Sequence, residues 1–153
     1  MRIPASRPLE LARRLDAHGQ RMSELEPWSL AQEQAPVPEV LEQARAEQEE
    51  VFGRMVALQE ELDWRCYESY GLLEEGEAPV VELERLEELP EVRLGERAFE
   101  IVMARKVEAG DLVTSWFTRH GSTPITEVPA RWPGWYQELV QARIDRIGER
   151  RFI

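Results

Sequence analysis

The sequence predicts a mainly α-helical fold, a helical bundle or hairpin built around one long helix, with a Pro-rich connector and little or no sheet. Three observations carry this. Between Glu39 and Tyr70 there is no proline and a single glycine, Gly53. Within that stretch Leu41, Ala44, Gln48, Val51, Met55, Leu58 and Leu62 recur three and four apart, a heptad seam with one polar member. Nowhere does the chain repeat the strand–helix–strand pattern of an α/β enzyme.

The elements follow in order. A first helix is expected from about Pro8 to Leu25, with Leu9, Leu11, Leu15, Met22 and Leu25 as a loose apolar stripe. Pro27, Pro36 and Pro38 then make a connector. The long helix comes next, running some 30 residues or about 45 Å. It cannot bury its seam against itself. An internal antiparallel hairpin is the expected solution, and a coiled coil with another chain is the alternative. Gly71 stops it. The acidic stretch 74–91 carries Pro79 and Pro90, and Val80-Val81-Glu82-Leu83 within it suits either a short strand or the start of a helix. A third helix is expected over Glu96–Ala109, closed by Gly110, and a short one over 111–119, closed by Gly121. After a Pro-rich turn segment, Pro133 is placed to open a last helix carrying Tyr136, Leu139, Val140, Arg143, Ile144 and Ile147. The whole is taken as a single helical domain, 1–153. It divides into an N-terminal helix and connector (1–38), the long helix (39–72), an acidic connector (73–95) and C-terminal helices (96–153).

Composition narrows the function classes. With 153 residues the chain can bury a core without disulfides or metals. No apolar run approaches membrane-spanning length, and no apolar signal core follows the N-terminus. Cys66 stands alone, which fits a reducing compartment, so the expected location is cytoplasmic. The net charge of −11 is concentrated in residues 39–100, where six arginines face nineteen acids. Such a chain is a poor nonspecific nucleic-acid binder, because phosphate neutralisation drives that affinity. Any DNA contact falls to the C-terminal arginines Arg119, Arg131, Arg143, Arg146, Arg150 and Arg151, with surface ion pairing as their more ordinary role.

Arg119-His120-Gly121 has the form of a histidine-phosphatase signature. That chemistry needs a strand to present the nucleophile, a second histidine downstream and an acid for the leaving group. The preceding segment has helical spacing, and His18, the one other histidine, lies far upstream. Cys66 has no base near it in sequence, and one Cys with two His gives no zinc spacing. Adjacent acids such as Glu74-Glu75 and Glu87-Glu88 belong to a solvated charge run. No catalytic, cofactor or metal residue is therefore nominated. Of the five tryptophans, Trp64 and Trp116 sit on apolar stripes, whereas Trp132 and Trp135 flank Pro133 and suit an interface. Leu41, Val51, Met55 and Leu58 are the interface candidates on the seam.

Four blocks together resemble one family. They are Leu58-Gln59-Glu60-Glu61-Leu62-Asp63-Trp64 with Tyr67, Tyr70, Gly71 and Leu72; Glu96-Arg97-Ala98-Phe99-Glu100-Ile101; Trp116 through Pro129 with Trp132-Pro133; and Tyr136, Leu139-Val140, Arg143-Ile144 and Ile147. They are similar to the adenine-specific DNA methyltransferases of BREX and phage-growth-limitation defence systems, over about residues 55–147. The run of unlike residue types in Trp116–Pro129 is the most specific.

The resemblance implies a large enzyme that moves a methyl group from S-adenosylmethionine to adenine N6, with these blocks in a helical accessory region outside the catalytic domain. This chain carries neither the Asn/Asp-Pro-Pro-Tyr/Phe motif that holds the target amine nor a Gly-containing S-adenosylmethionine loop. The expectation is a detached, non-catalytic piece without its own cofactor, whether excised, truncated or part of a split protein. Its expected partners are the methyltransferase catalytic domain, other defence proteins or DNA, and no membrane. The alternative is a free-standing helical adaptor binding through the 41–62 seam.

Overall fold

A computed structural model of the chain describes residues 6–32, 35, 37–71 and 79–150, with side chains from Pro8 to Gly148 within those ranges. Its helices are joined by irregular segments, with no strand or sheet among the described residues. The elements are α1 (Ser6–Glu24), a single-turn α2 (Pro27–Leu30), the long α3 (Pro38–Ser69), a 3-10 turn (Leu83–Glu88), α4 (Ala98–Glu108), a short α5 (Trp116–His120) and α6 (Gly134–Arg150).

The spine is α3, 32 residues and therefore about 48 Å long. Pro38 occupies its first turn, where a missing N–H is harmless. Its seam is filled from within the chain, since α1 folds back along it as an antiparallel hairpin. Leu11 packs in one cluster with Leu58, Gln48 donates from Nε2 to the Met22 carbonyl at 3.3 Å, and Arg21 binds Glu47. As the α1 number rises the α3 number falls, which fixes the antiparallel register. The polar seam member, Gln48, is thus spent on the last turns of α1.

The opposite face of α3 is buried as well. Val56, Ala57 and Trp64 join Ala98, Ile101 and Val102 of α4 and Tyr136, Val140, Ile144 and Ile147 of α6 in the largest core cluster, closed by Val92 and Trp132. Ala57 sits at full burial where helices must approach closely. Gly53 is needed for a similar reason. The Val92 N–H donates to the Gly53 carbonyl at 3.1 Å, and a Cβ on Gly53 would lie 2.9 Å from the Glu91 Cβ. The helix therefore admits the crossing 91–92 backbone only without a side chain there.

Several expected bounds move. Pro27 opens the turn α2 inside what was expected to be plain connector. Residues 79–82 form neither strand nor helix, and the 3-10 turn follows from Leu83; residues 74–78 lie outside the described residues. The short helix begins only at Trp116, not at 111. The Thr114 hydroxyl accepts the Trp116 N–H at 3.1 Å, a side-chain competitor for the backbone bond that a longer helix would need. The last helix starts one residue after Pro133, whose carbonyl accepts the N–H groups of Tyr136 and Gln137, each at 3.0 Å.

Candidate functional site

The 116–133 segment, the most distinctive part of the sequence, is held on α4 by hydrogen bonds from both sides. Trp116 donates from Nε1 to Glu100 Oε2 at 3.1 Å. Arg105 donates from Nε to the Thr126 carbonyl at 2.7 Å. Arg131 pairs with the buried Glu96, and Trp132 donates from Nε1 to the Glu91 carbonyl at 3.0 Å. Gln137 reaches back from α6 to the Trp132 carbonyl at 2.7 Å. An irregular segment of this length keeps one shape only when such partners take up its backbone groups.

Arg119-His120-Gly121 proves to be a helix end. Gly121 has φ +61°, its N–H donates to the Thr118 carbonyl, and the Ser122 N–H reaches the Phe117 carbonyl at 3.0 Å. This is a Schellman cap, whose left-handed position favours glycine. His120 stacks on Trp116, with ring centroids 4.0 Å apart, and its Nδ1 lies 2.8 Å from the Trp116 carbonyl. The tripeptide ends a helix, whereas phosphatase chemistry needs it at the end of a strand.

Gly95 carries the closest approach in this region. Its φ is +100°, and a Cβ there would lie 2.5 Å from the Thr123 carbonyl oxygen. Gly95→Ala is expected to cost about 1–3 kcal/mol from backbone strain alone, and more from the clash. Urea unfolding read by tryptophan fluorescence checks this.

Glu100 anchors the Trp116 end of the segment. Burial would raise its carboxyl, but hydrogen bonds from Arg97 and Trp116, the Arg97 charge and the Gly95 backbone outweigh that and hold it below its ordinary value. A carboxyl lowered in the fold adds stability above the ordinary 4.5 and loses it as pH falls through the lower folded value. Glu60 behaves oppositely. Burial raises its carboxyl, against the opposing Arg143 charge and the bond from Trp64 Nε1. Its charge therefore costs stability at neutral pH, and that cost is relieved as pH falls towards 4.5. Unfolding midpoints across pH should accordingly show Glu100→Gln weakening acid sensitivity below 4.5, and Glu60→Gln matching or exceeding the parent at pH 7.

Beneath the segment, α3 and α6 share a buried charge cluster. Arg143 Nη2 lies 2.6 Å from Glu61 Oε1, and both side chains are 0% exposed. Arg143 Nε donates to the Pro79 carbonyl at 3.0 Å, and its guanidinium lies over the Trp64 ring at 5.3 Å. Glu61 accepts the Val81 N–H at 3.1 Å, while Arg65 donates to the Val81 carbonyl. Burial alone would lower the Arg143 pKa, and the Glu61 carboxylate more than offsets that, so the guanidinium stays charged. Three side chains from two helices, Glu61, Arg65 and Arg143, thus clamp the backbone at 79–81.

The arginines nominated for DNA are scattered in role. Arg143 is wholly enclosed and is withdrawn, because its five donors face protein and no phosphate can reach them. Arg131 is exposed but engaged with Glu96 and lies over Trp132 at 5.6 Å. Arg146 is half-buried and engaged, and Arg119 is exposed on α5. The side chains of Arg150 and Arg151 lie outside the described residues. Among the interface candidates, Trp132, Val51 and Leu58 are buried inside the chain, while Leu41, Met55 and Trp135 are half-buried. Cys66 is half-buried rather than enclosed. The sequence assigned no role to Glu61, Glu96 and Glu100, which stand among the many acids of residues 39–100 and within the blocks that carry the resemblance. Their one trace was position, since Glu60, Glu61 and Trp64 continue the spacing of Val56 and Ala57.

The family described as a domain of unknown function (DUF7008) matches residues 55–153. Every residue of the largest core cluster lies within that range, whereas the hairpin cluster draws Leu11 from outside it. The adenine-specific methyltransferase PglX of Streptomyces coelicolor (strain ATCC BAA-471 / A3(2) / M145) is 46% identical over 151 residues. That alignment takes in 99% of this chain and 12% of PglX, so the chain spans about an eighth of that relative. No solved structure matches the chain. The chain therefore belongs to the DUF7008 family and is similar, over nearly its whole length, to one segment of an adenine-specific methyltransferase.

Proposed function

We propose that this chain is a non-catalytic helical brace of a BREX-type adenine-specific DNA methyltransferase, holding the catalytic and target-recognition parts in place. The observation that carries this reading is the similarity to one segment, 12%, of PglX. The buried chemistry agrees with it. The charged groups of the core are turned inward: Glu61, Arg65 and Arg143 on each other and on the 79–81 backbone, and Glu60 on the Trp64 indole. Groups so enclosed stiffen a scaffold and have no access to a base or a methyl donor.

The test is to purify the tagged chain from its native host and identify what accompanies it by mass spectrometry. Recovery of a methyltransferase polypeptide supports the brace; its absence at salt low enough to keep weak complexes counts against it. DNA docking is the lesser role. Arg119, Arg131 and Arg146 supply it if it exists, and it fails if their joint change to alanine leaves duplex binding unaltered. The adaptor reading loses ground because α1 already fills the 41–62 seam.

A further inference from the structure

Beyond that reading, the geometry points to a binding site for a small organic acid, a carboxylate on a short apolar stem, in the pocket between α1, the middle of α3 and the 3-10 turn. The pocket measures about 200 Å³, room for one small ligand rather than a nucleotide. Three basic side chains, Arg14, His18 and Arg54, line it, with Glu87 as its single acid. Arg14 and His18 stand four apart on α1, on one face of the helix, and Arg54 faces them from α3. Residues 39–100, where nineteen acids outnumber six arginines, supply Arg54, and α1 supplies the other two. The floor is apolar: Leu58 and Leu86 are buried, and Leu89 is half-buried. Ala17 leaves the space open between the two basic residues of α1.

The protein supplies its own template for the ligand. The Glu87 carboxylate rests on Arg14 at the pocket mouth, and the Glu87 side chain is 77% exposed. Arg14 also binds Glu10 at 3.1 Å, and Arg54 binds Glu50 at 2.9 Å. Exposed pairs of this kind contribute little, so an incoming carboxylate exchanges with them cheaply. Guanidinium forks bind a planar carboxylate through paired donors. The stem of the acid then lies on the leucines, and each methylene buried there should tighten binding about fourfold.

The test is an amide-resolved NMR titration of the full chain with sodium butyrate, acetate and inorganic phosphate, at ionic strength held constant with chloride. The expected result is butyrate-dependent shifts confined to Ala17, His18, Leu58, Leu86 and Leu89, with butyrate tighter than acetate. Glu87→Gln removes the internal competitor and should tighten butyrate severalfold, while Arg54→Gln should weaken it about tenfold. Both are exposed positions, and unchanged circular dichroism establishes that the variants fold. Scattered shifts, equal effects of chloride, indifference to both substitutions, or binding of phosphate without butyrate would each overturn the assignment.

Discussion

Arg143→Ala is expected to destabilise the protein by about 3–5 kcal/mol, a large share of the roughly 5–15 kcal/mol that holds a domain together. The loss of contacts with Trp64 is the smaller part. The larger part is that Glu61 would remain fully buried with its counter-charge removed, while the Pro79 carbonyl loses its donor. Denaturant midpoints measure the loss. The double variant Glu61→Leu with Arg143→Met should recover most of it, because well-packed apolar groups replace a buried ion pair at little cost. A single variant that keeps parental stability would mean that Arg143 reaches solvent. The residue would then return to the candidates for phosphate contact.

Trp132→Ala carries the second large effect, about 3–5 kcal/mol. Its ring is buried, meets Tyr136 edge-on at a centroid distance of 4.9 Å, and covers the start of α6. Removing it leaves a cavity and strips the Glu91 carbonyl of the indole donor. The neighbouring Trp135 provides the contrast. It is half-buried beneath Arg85, whose guanidinium lies 5.0 Å from its ring. Trp135→Ala should cost clearly less and leave the fold intact, so any loss of partner binding in that variant reports an interface. Thermal unfolding of the two variants side by side separates core tryptophan from surface tryptophan.

The two tryptophans also mark how far the sequence could be read. Helix limits were legible because their causes are local. Proline opens α3, glycine closes α4 and α5, and three-and-four spacing runs along the seam. The internal hairpin was legible too, since an unpaired seam of that length needs a partner. The second buried face of α3 was hidden. Glu60, Glu61 and Arg65 interrupt it with charges that look solvated in a chain so acidic, and the partners of Glu61 and Arg65, Val81 and Arg143, lie far along the sequence. The enclosure of Arg143 was hidden for the same reason, because nothing local to α6 distinguishes an enclosed arginine from an exposed one. The short helix failed at 111–115, where the apolar spacing of Leu112 and Val113 was weighed without the competing hydroxyl of Thr114. In the 116–133 segment the unlike residue types signalled a specific structure. The donors that hold it, Arg105 and Gln137, come from the flanking helices and were invisible until α4 and α6 were placed.

The most direct test of the central claim is adenine-N6 methylation of duplex DNA in the presence of S-adenosylmethionine. It is measured for this chain alone, for a methyltransferase polypeptide that co-purifies with it, and for the two together. A brace predicts no transfer by the chain alone, weak transfer by the partner stripped of it, and transfer restored when both are mixed. Restoration should fail with Arg143→Ala and return with the Glu61→Leu, Arg143→Met pair. Methyl transfer by the chain alone, or a partner fully active without it, would contradict the account.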